Sequence, residues 1–297
     1  MLTKRIIPRI EFKGNNLIKG LEFEGNRCLG VLSHFCEQYS INEKSDEIFF
    51  YDIVASLYNQ EFNFKYVNKL CDNINVPITF CGGINCLDNI YSCLSNGADK
   101  VSINTSLFEK KELLNQAVSI FGAPTIISNI EYYFDDHKYL LLSEFGRTKV
   151  DYDIFDWVKY LEDSGVGEIH FLDVGRDGLG NGIDIDFINK ITKNLKIPFI
   201  VGCGFGSKYD VLRVFNETTA SGVSVASMFH YFYKKKINKD FASYEGPELR
   251  LGKDIDSGNI DFLNFGYGGF EDIFVEPTSI SDLKSFLFEN NIQVRLN

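Results

Sequence analysis

Positive charge is what this chain most lacks. Its 30 lysines and arginines stand against 41 acidic residues, a net charge of −11, which removes the basic footprint needed to grip nucleic acid or an anionic membrane. Any anion site must be built locally. Long apolar runs are missing too: no stretch reaches the ~20 apolar residues of a membrane span, and Met1-Leu2-Thr3-Lys4-Arg5 leads into a strand without an apolar signal region. A cytoplasmic protein is expected. The seven cysteines, at 28, 36, 71, 81, 86, 93 and 203, show no zinc-finger spacing, and their odd number argues against a secreted disulfide framework. They read as reduced core thiols, and neither a metal nor a cofactor is called for.

What is present is a duplication. The stretch Val76 to Thr105 reads as strand, Gly82-Gly83 turn, helix and second strand, and it recurs from Ile197 to Ser227 at an offset of 121 residues, Pro77 against Pro198 and Gly83 against Gly204. The same offset maps Glu47 through Asp52 onto Glu168 through Asp173, and Arg9-Ile10-Glu11 matches Asn129-Ile130-Glu131 at 120. Each half thus supplies four strands, and eight strands with eight helices predict a closed (β/α)8 barrel more simply than an open doubly wound sheet. Residues 1–297 are expected to form one domain of this kind, with an insertion at about 233–277 before the last helix. The segment from Phe12 to Cys28 reads as a long polar loop, of a length that favours function.

In such a barrel the strand C-termini gather on one face, and chemistry is expected there. A turn without side chains lets backbone N–H groups converge on an anion beside a helix N-terminus. Gly82 and Gly83 with Asn104 and Thr105 would form one phosphate cradle, and Gly204 and Ser227, joined by Asp177 and Gly178, a second. A single glycine would more often serve only a tight turn, but the pairing across the repeat points to a substrate with a phosphate at each end. Glu11 and Glu131, ending opposite strands, would offer two carboxylates for acid/base work on one cavity. On the other face Arg5, Glu47, Lys100 and Glu168 alternate in sign at strand starts, and either solvate the barrel floor or close a ring.

The sequence then becomes specific. Lys4-Arg5-Ile6-Ile7-Pro8, Lys19-Gly20, Asp46-Glu47, Gly82-Gly83-Ile84, Gly97 through Thr105, Gly167-Glu168-Ile169, Arg176-Asp177-Gly178, Ala226-Ser227 and Val294-Arg295-Leu296 together resemble the cyclase subunit of imidazole glycerol phosphate synthase. The resemblance implies a barrel that takes ammonia from a glutaminase subunit docked at its floor and passes it to a bis-phosphorylated substrate. It further implies that Arg5, Glu47, Lys100 and Glu168 form the ammonia gate, that Asp99 helps hold the glutaminase, and that Lys19 supports turnover. Five positions depart: glutamates at 11 and 131 where the family has aspartates, Cys203 for a glycine, Leu179 for a hydroxyl residue, and Arg9 for a small cysteine.

Two functions follow. The first is a cyclase, with Glu11 and Glu131 as acid and base. The alternative is a non-cyclising relative that relays ammonia to a surface-sugar amidotransferase. A stand-alone phosphosugar isomerase, the third possibility, would not need the floor ring. The aromatic and glycine-rich insertion is expected either to cover the cavity, to meet an acceptor enzyme, or to lie along the barrel side.

Overall fold

A computed structural model of the protein describes residues 3–236 and 274–296. Eight parallel strands close a barrel: β1 (Arg5–Lys13), β4 (Ile48–Asp52), β5 (Ile78–Cys81), β6 (Lys100–Ile103), β7 (Ile126–Phe134), β10 (Glu168–Asp173), β11 (Phe199–Gly202) and β12 (Gly222–Val225). The last pairs back onto the first, with Ile7 opposite Ser224, so the expected (β/α)8 barrel is the fold. Both faces of these strands are covered, which is why they read as near-continuous apolar runs; every residue from Ile48 to Asp52 is buried. Outward-facing Ile6, Ile10, Phe50, Phe80 and Val101 pack under the helices. Inward-facing Ile7, Phe49, Tyr51, Ile127 and Leu172 fill the barrel.

The helices dock through amphipathic faces and start on side-chain caps. Asp153 caps Ile154–Asp163 by accepting from Phe155 and Asp156 N–H, and that helix buries Ile154, Trp157, Val158 and Leu161. Phe155 lies at the margin of that face beneath the Lys190 ammonium. The last helix, Ile280–Glu289, is pinned by a buried Lys284–Asp46 ion pair of 2.9 Å, and Val294 bridges to Lys4 beside β1. No helix among the described residues is long and apolar enough to cross a membrane.

The sequence reading falls short at the barrel mouth. Phe12 to Cys28 is a β-hairpin rather than a loop: β1 runs on to Lys13, and β2 (Asn16–Leu21) and β3 (Glu24–Val31) extend the sheet. Its polar composition hides the signal, because Leu17, Ile18, Phe23 and Leu29 are buried among charged and glycine residues. Gly20 is required there, since a Cβ would lie 1.9 Å from the Glu24 carbonyl oxygen. A second hairpin, β7 with β8 (Tyr139–Ser143) and β9 (Thr148–Val150), rises from the opposite side through a turn at Asp135-Asp136. Among the described residues the sheet therefore has twelve strands, four more than the eight counted from sequence. Most of the insertion at 233–277 lies outside the described residues.

Candidate active site

Five of the residues singled out from sequence meet in one cavity of about 640 Å³: Gly82, Gly83, Asn104, Thr105 and Glu131 all line it. Gly82 and Gly83 adopt φ of +105° and +69°, and a Cβ on either would strike the Asp52 or Gln60 carbonyl oxygen, at 2.3 and 2.6 Å. Only bare backbone fits this turn, which leaves its edge open to the cavity. Asn104 precedes the short helix Thr105–Glu109, and the Thr105 hydroxyl accepts from Glu144 N–H at 2.9 Å. Glu131 projects from the inner face of β7, where its Oε2 accepts from Gly146 N–H at 2.8 Å. Burial pushes its carboxyl up to about 7. A carboxyl so placed exchanges a proton near neutrality, which is what acid/base work requires.

Glu11 has different company. Its Oε1 lies 2.6 Å from Arg9 Nη2 as an ion pair and its Oε2 accepts from Lys19 Nζ at 3.1 Å, and both cations also contact Asp177, Arg9 at 2.5 Å. The four side chains alternate in sign and are each at most 2 % exposed. Against the cost of burial, the Lys19 and Arg9 charges hold Asp177 below the usual carboxylate range. Lys19, placed by the sequence reading in a mobile loop, is buried within β2 as a member of this cluster.

The second glycine turn is built on the same plan and finished differently. Cys203 takes the left-handed φ of +73° in front of Gly204 at +85°, and its thiol accepts from Arg9 Nη1 at 2.9 Å. Two departures noted in the sequence thus touch each other. A Cβ on Gly178 would lie 2.7 Å from the Gly20 carbonyl oxygen, so the β2–β3 hairpin rests directly on the Asp177-Gly178 loop, and Glu22 N–H donates to the Asp177 carbonyl. Ser227 is buried at the start of the helix Ser227–Lys236. Nearby, the Asp210 carboxylate takes the N–H groups of Gly206 and Ser207. Phe274 and Glu276, where the described chain resumes, donate N–H bonds to the Leu179 and Gly206 carbonyls.

At the barrel floor the four charges close a ring. Arg5 Nη1 meets Glu47 at 2.9 Å and Glu168 at 3.2 Å, while Lys100 Nζ meets Glu47 at 3.1 Å and Glu168 at 3.7 Å. Asp99 stands exposed beside it, its Oδ2 accepting from Ile78 N–H.

This geometry can be set beside known proteins. The family model described as "Histidine biosynthesis protein" matches residues 5–237. Among curated proteins, the imidazole glycerol phosphate synthase subunit HisF of Natranaerobius thermophilus is 34 % identical over 252 residues, spanning 84 % of this chain and all of the relative. Its namesake in Buchnera aphidicola subsp. Schizaphis graminum is 33 % identical over 261 residues, with the same two shares. The chain belongs to this family. With membership comes the enzyme class, the cyclase subunit of a lyase-type synthase.

One feature of this cyclase-family chain escaped the sequence reading. The β2–β3 turn carries Glu22-Phe23 and the β8–β9 turn Glu144-Phe145, all four residues at φ between +50° and +62°, and Phe23 stacks on Phe145 at 4.2 Å between centroids and 10° between planes. Phe145 lines the cavity. Left-handed pairs usually announce themselves as Asn-Gly or Gly-Gly. The readable signal was the recurrence of Glu-Phe in both halves, between residues that alternate as strands. Arg9, which binds the four-charge cluster and faces Phe23, was visible in sequence only as a departure.

Proposed function

We propose that the chain closes an imidazole ring on a bis-phosphorylated substrate with ammonia received from a glutaminase subunit. The observation that carries this reading is Glu131, a buried carboxyl raised to about 7 inside the cavity that also holds the Gly82-Gly83 turn and Asn104-Thr105. One substrate phosphate sits on that cradle, and the other on the N–H groups around Gly178, Gly204 and Ser227, with Asp177 beside it. Glu131 moves the proton at the closing ring. Glu11 acts as its partner once Lys19 and Arg9 shift their contacts toward substrate. Ammonia enters through the ring of Arg5, Glu47, Lys100 and Glu168, and the glutaminase docks on that face against Asp99.

A second reading has one observation in its favour. Glu11 is neutralised by two buried cations, which suits a scaffold that delivers ammonia to a sugar amidotransferase better than it suits an acid. The two are separated by supplying the family's substrate with ammonium salt and no glutaminase. Product formation supports the cyclase, and an inert wild type leaves the relay. Glutaminase activity with and without the barrel then tests docking, where no complex and no stimulation would remove both.

A further inference from the structure

Between the floor ring and the mouth, the barrel axis is crossed by polar side chains that neither end requires. Tyr51 of β4 donates to Asn129 Oδ1 of β7 at 3.0 Å and lies 2.9 Å from His170 Nδ1 of β10, while His170 Nε2 lies 2.7 Å from Ser224 Oγ of β12. Four strands thus share one hydrogen-bonded crossbar, in which His170 and Asn129 stand directly opposite each other in the ladder. The space for it is built in: a Cβ at Gly202 would lie 2.3 Å from Ser224 Oγ and 2.9 Å from His170 Nε2. An imidazole with no exposed surface is costly unless each nitrogen is satisfied, and apolar side chains would fill the same volume without that demand.

The crossbar also stands at a boundary. On the floor side Phe49 precedes Tyr51 and Ile127 precedes Asn129 along the same strands, and Ile7 joins them in one inward-facing apolar cluster next to the charged ring. Above it the 640 Å³ cavity begins, with Tyr51 and Asn129 in its lining beside Ser102 and Asn104. The β5 and β6 side of the interior is small or polar along its length: Thr79, whose hydroxyl donates to Glu47 at 2.7 Å, then Cys81, Ser102 and Asn104. Asn104 Oδ1, buried in this row, has no hydrogen-bond partner among the described residues. The imidazole can carry its proton on either nitrogen. With Tyr51 donating to Nδ1, Nε2–H donates to Ser224; with Nδ1–H donating to Asn129, Nε2 accepts from Ser224. Such a network can accept and release a small neutral molecule that is both donor and acceptor, whereas an ammonium ion would be stripped of solvent without a counter-charge.

We infer that the Tyr51–Asn129–His170–Ser224 crossbar is the relay that hands ammonia from the β5/β6 side of the barrel interior into the cavity. This rests on the proposed ammonia route and names residues in it. The test uses the barrel in complex with its glutaminase subunit and compares glutamine-supported with ammonium-supported turnover for wild type, His170→Leu and Ser224→Ala. Ammonium from bulk solvent reaches the cavity from the mouth, so both variants should retain ammonium-supported turnover within about twofold while glutamine-supported turnover falls about tenfold. Ser224→Ala deletes one oxygen and keeps the test open should His170→Leu fail to fold. With [amide-15N]glutamine and unlabelled ammonium together, the 15N fraction in product should fall in parallel. An unchanged or raised ratio of the two activities would overturn the relay. A wild type inert with ammonium would instead sink the cyclase reading beneath it, a result the ratio cannot mimic.

Discussion

Glu11 and Glu131 occupy equivalent places in a duplicated chain, one on the inner face of β1 and the other on the inner face of β7, and their surroundings have diverged. Glu11 is held between Arg9 and Lys19 with Asp177 completing the circle. Glu131 has a backbone N–H from Gly146 and an open cavity. The same residue type is therefore ion-paired by its neighbours in one half and a buried carboxyl raised to about 7 in the other. A repeat fixes where side chains emerge, whereas one added cation such as Arg9 decides what they can do.

The comparison breaks most sharply under removal of a charge. Glu11→Gln would leave two buried cations facing Asp177 alone, and breaking a buried ion-pair network of this kind costs roughly 3–5 kcal/mol. Urea unfolding should show that loss, with Glu131→Gln close to wild type or more stable above neutral pH. A Glu11→Gln variant as stable as wild type would mean that the cluster is not held in solution. Activity should not follow that ranking. Glu131→Gln keeps size and hydrogen bonding but removes proton exchange, and should lower ammonium-supported turnover about a hundredfold or more; a loss under about threefold would move the acid/base role elsewhere.

Acidity offers a second way to sharpen the contrast, because the ion-paired cluster around Glu11 and the Glu131 carboxyl depend on pH with opposite sign. Asp177 is held below its usual range by Lys19 and Arg9, so its contribution is present above that range and is lost as pH falls. Glu131 is raised to about 7, so the folded state binds the proton more tightly than the unfolded chain, and stability is lost as pH rises from its ordinary value of 4.5 to about 7. Full expression of that shift is about 3 kcal/mol. Asp173, also raised to about 7 by burial, acts in the same direction. Comparing wild type with Glu131→Gln from pH 4 to pH 8 isolates the Glu131 share, and identical slopes for the two proteins would remove it.

Most of the barrel was legible because its strands are short apolar runs bounded by turn residues, and because the repeat let one half check the other. The four floor charges were legible at strand starts, but on their own they left a solvated floor and a closed ring equally open, and the ring was expected only from the family resemblance. The hairpins at the mouth were not: glycine and charge in Phe12 to Cys28 masked a buried alternate row, and Lys19 went with it into a supposed loop. Nor could spacing show that Arg9 reaches both Glu11 and Asp177, since no periodicity relates a β1 side chain to the loop after β10. The central crossbar was missed for a different reason. Tyr51 and His170 sit within runs that read as apolar strand, and their polar tips matter only once the barrel has closed around them.

The smallest effect expected concerns the hairpin tips. Phe23 and Phe145 belong to different halves and meet face to face over the mouth, with Arg9 beneath Phe23 at 5.4 Å. An aromatic pair contributes about 0.5–1.5 kcal/mol beyond the area it buries. A double-mutant cycle of Phe23→Leu and Phe145→Leu should therefore return a coupling of about 1 kcal/mol in stability. Because Phe145 lines the cavity while Phe23 caps the ion-paired cluster, the two single variants should differ in function. Phe145→Leu should raise KM for the phosphorylated substrate, whereas Phe23→Leu should act chiefly through the hairpin that carries Lys19. A coupling near zero would show that the tips part in solution, and the halves would then still be linked at the mouth through the Asp177 contacts.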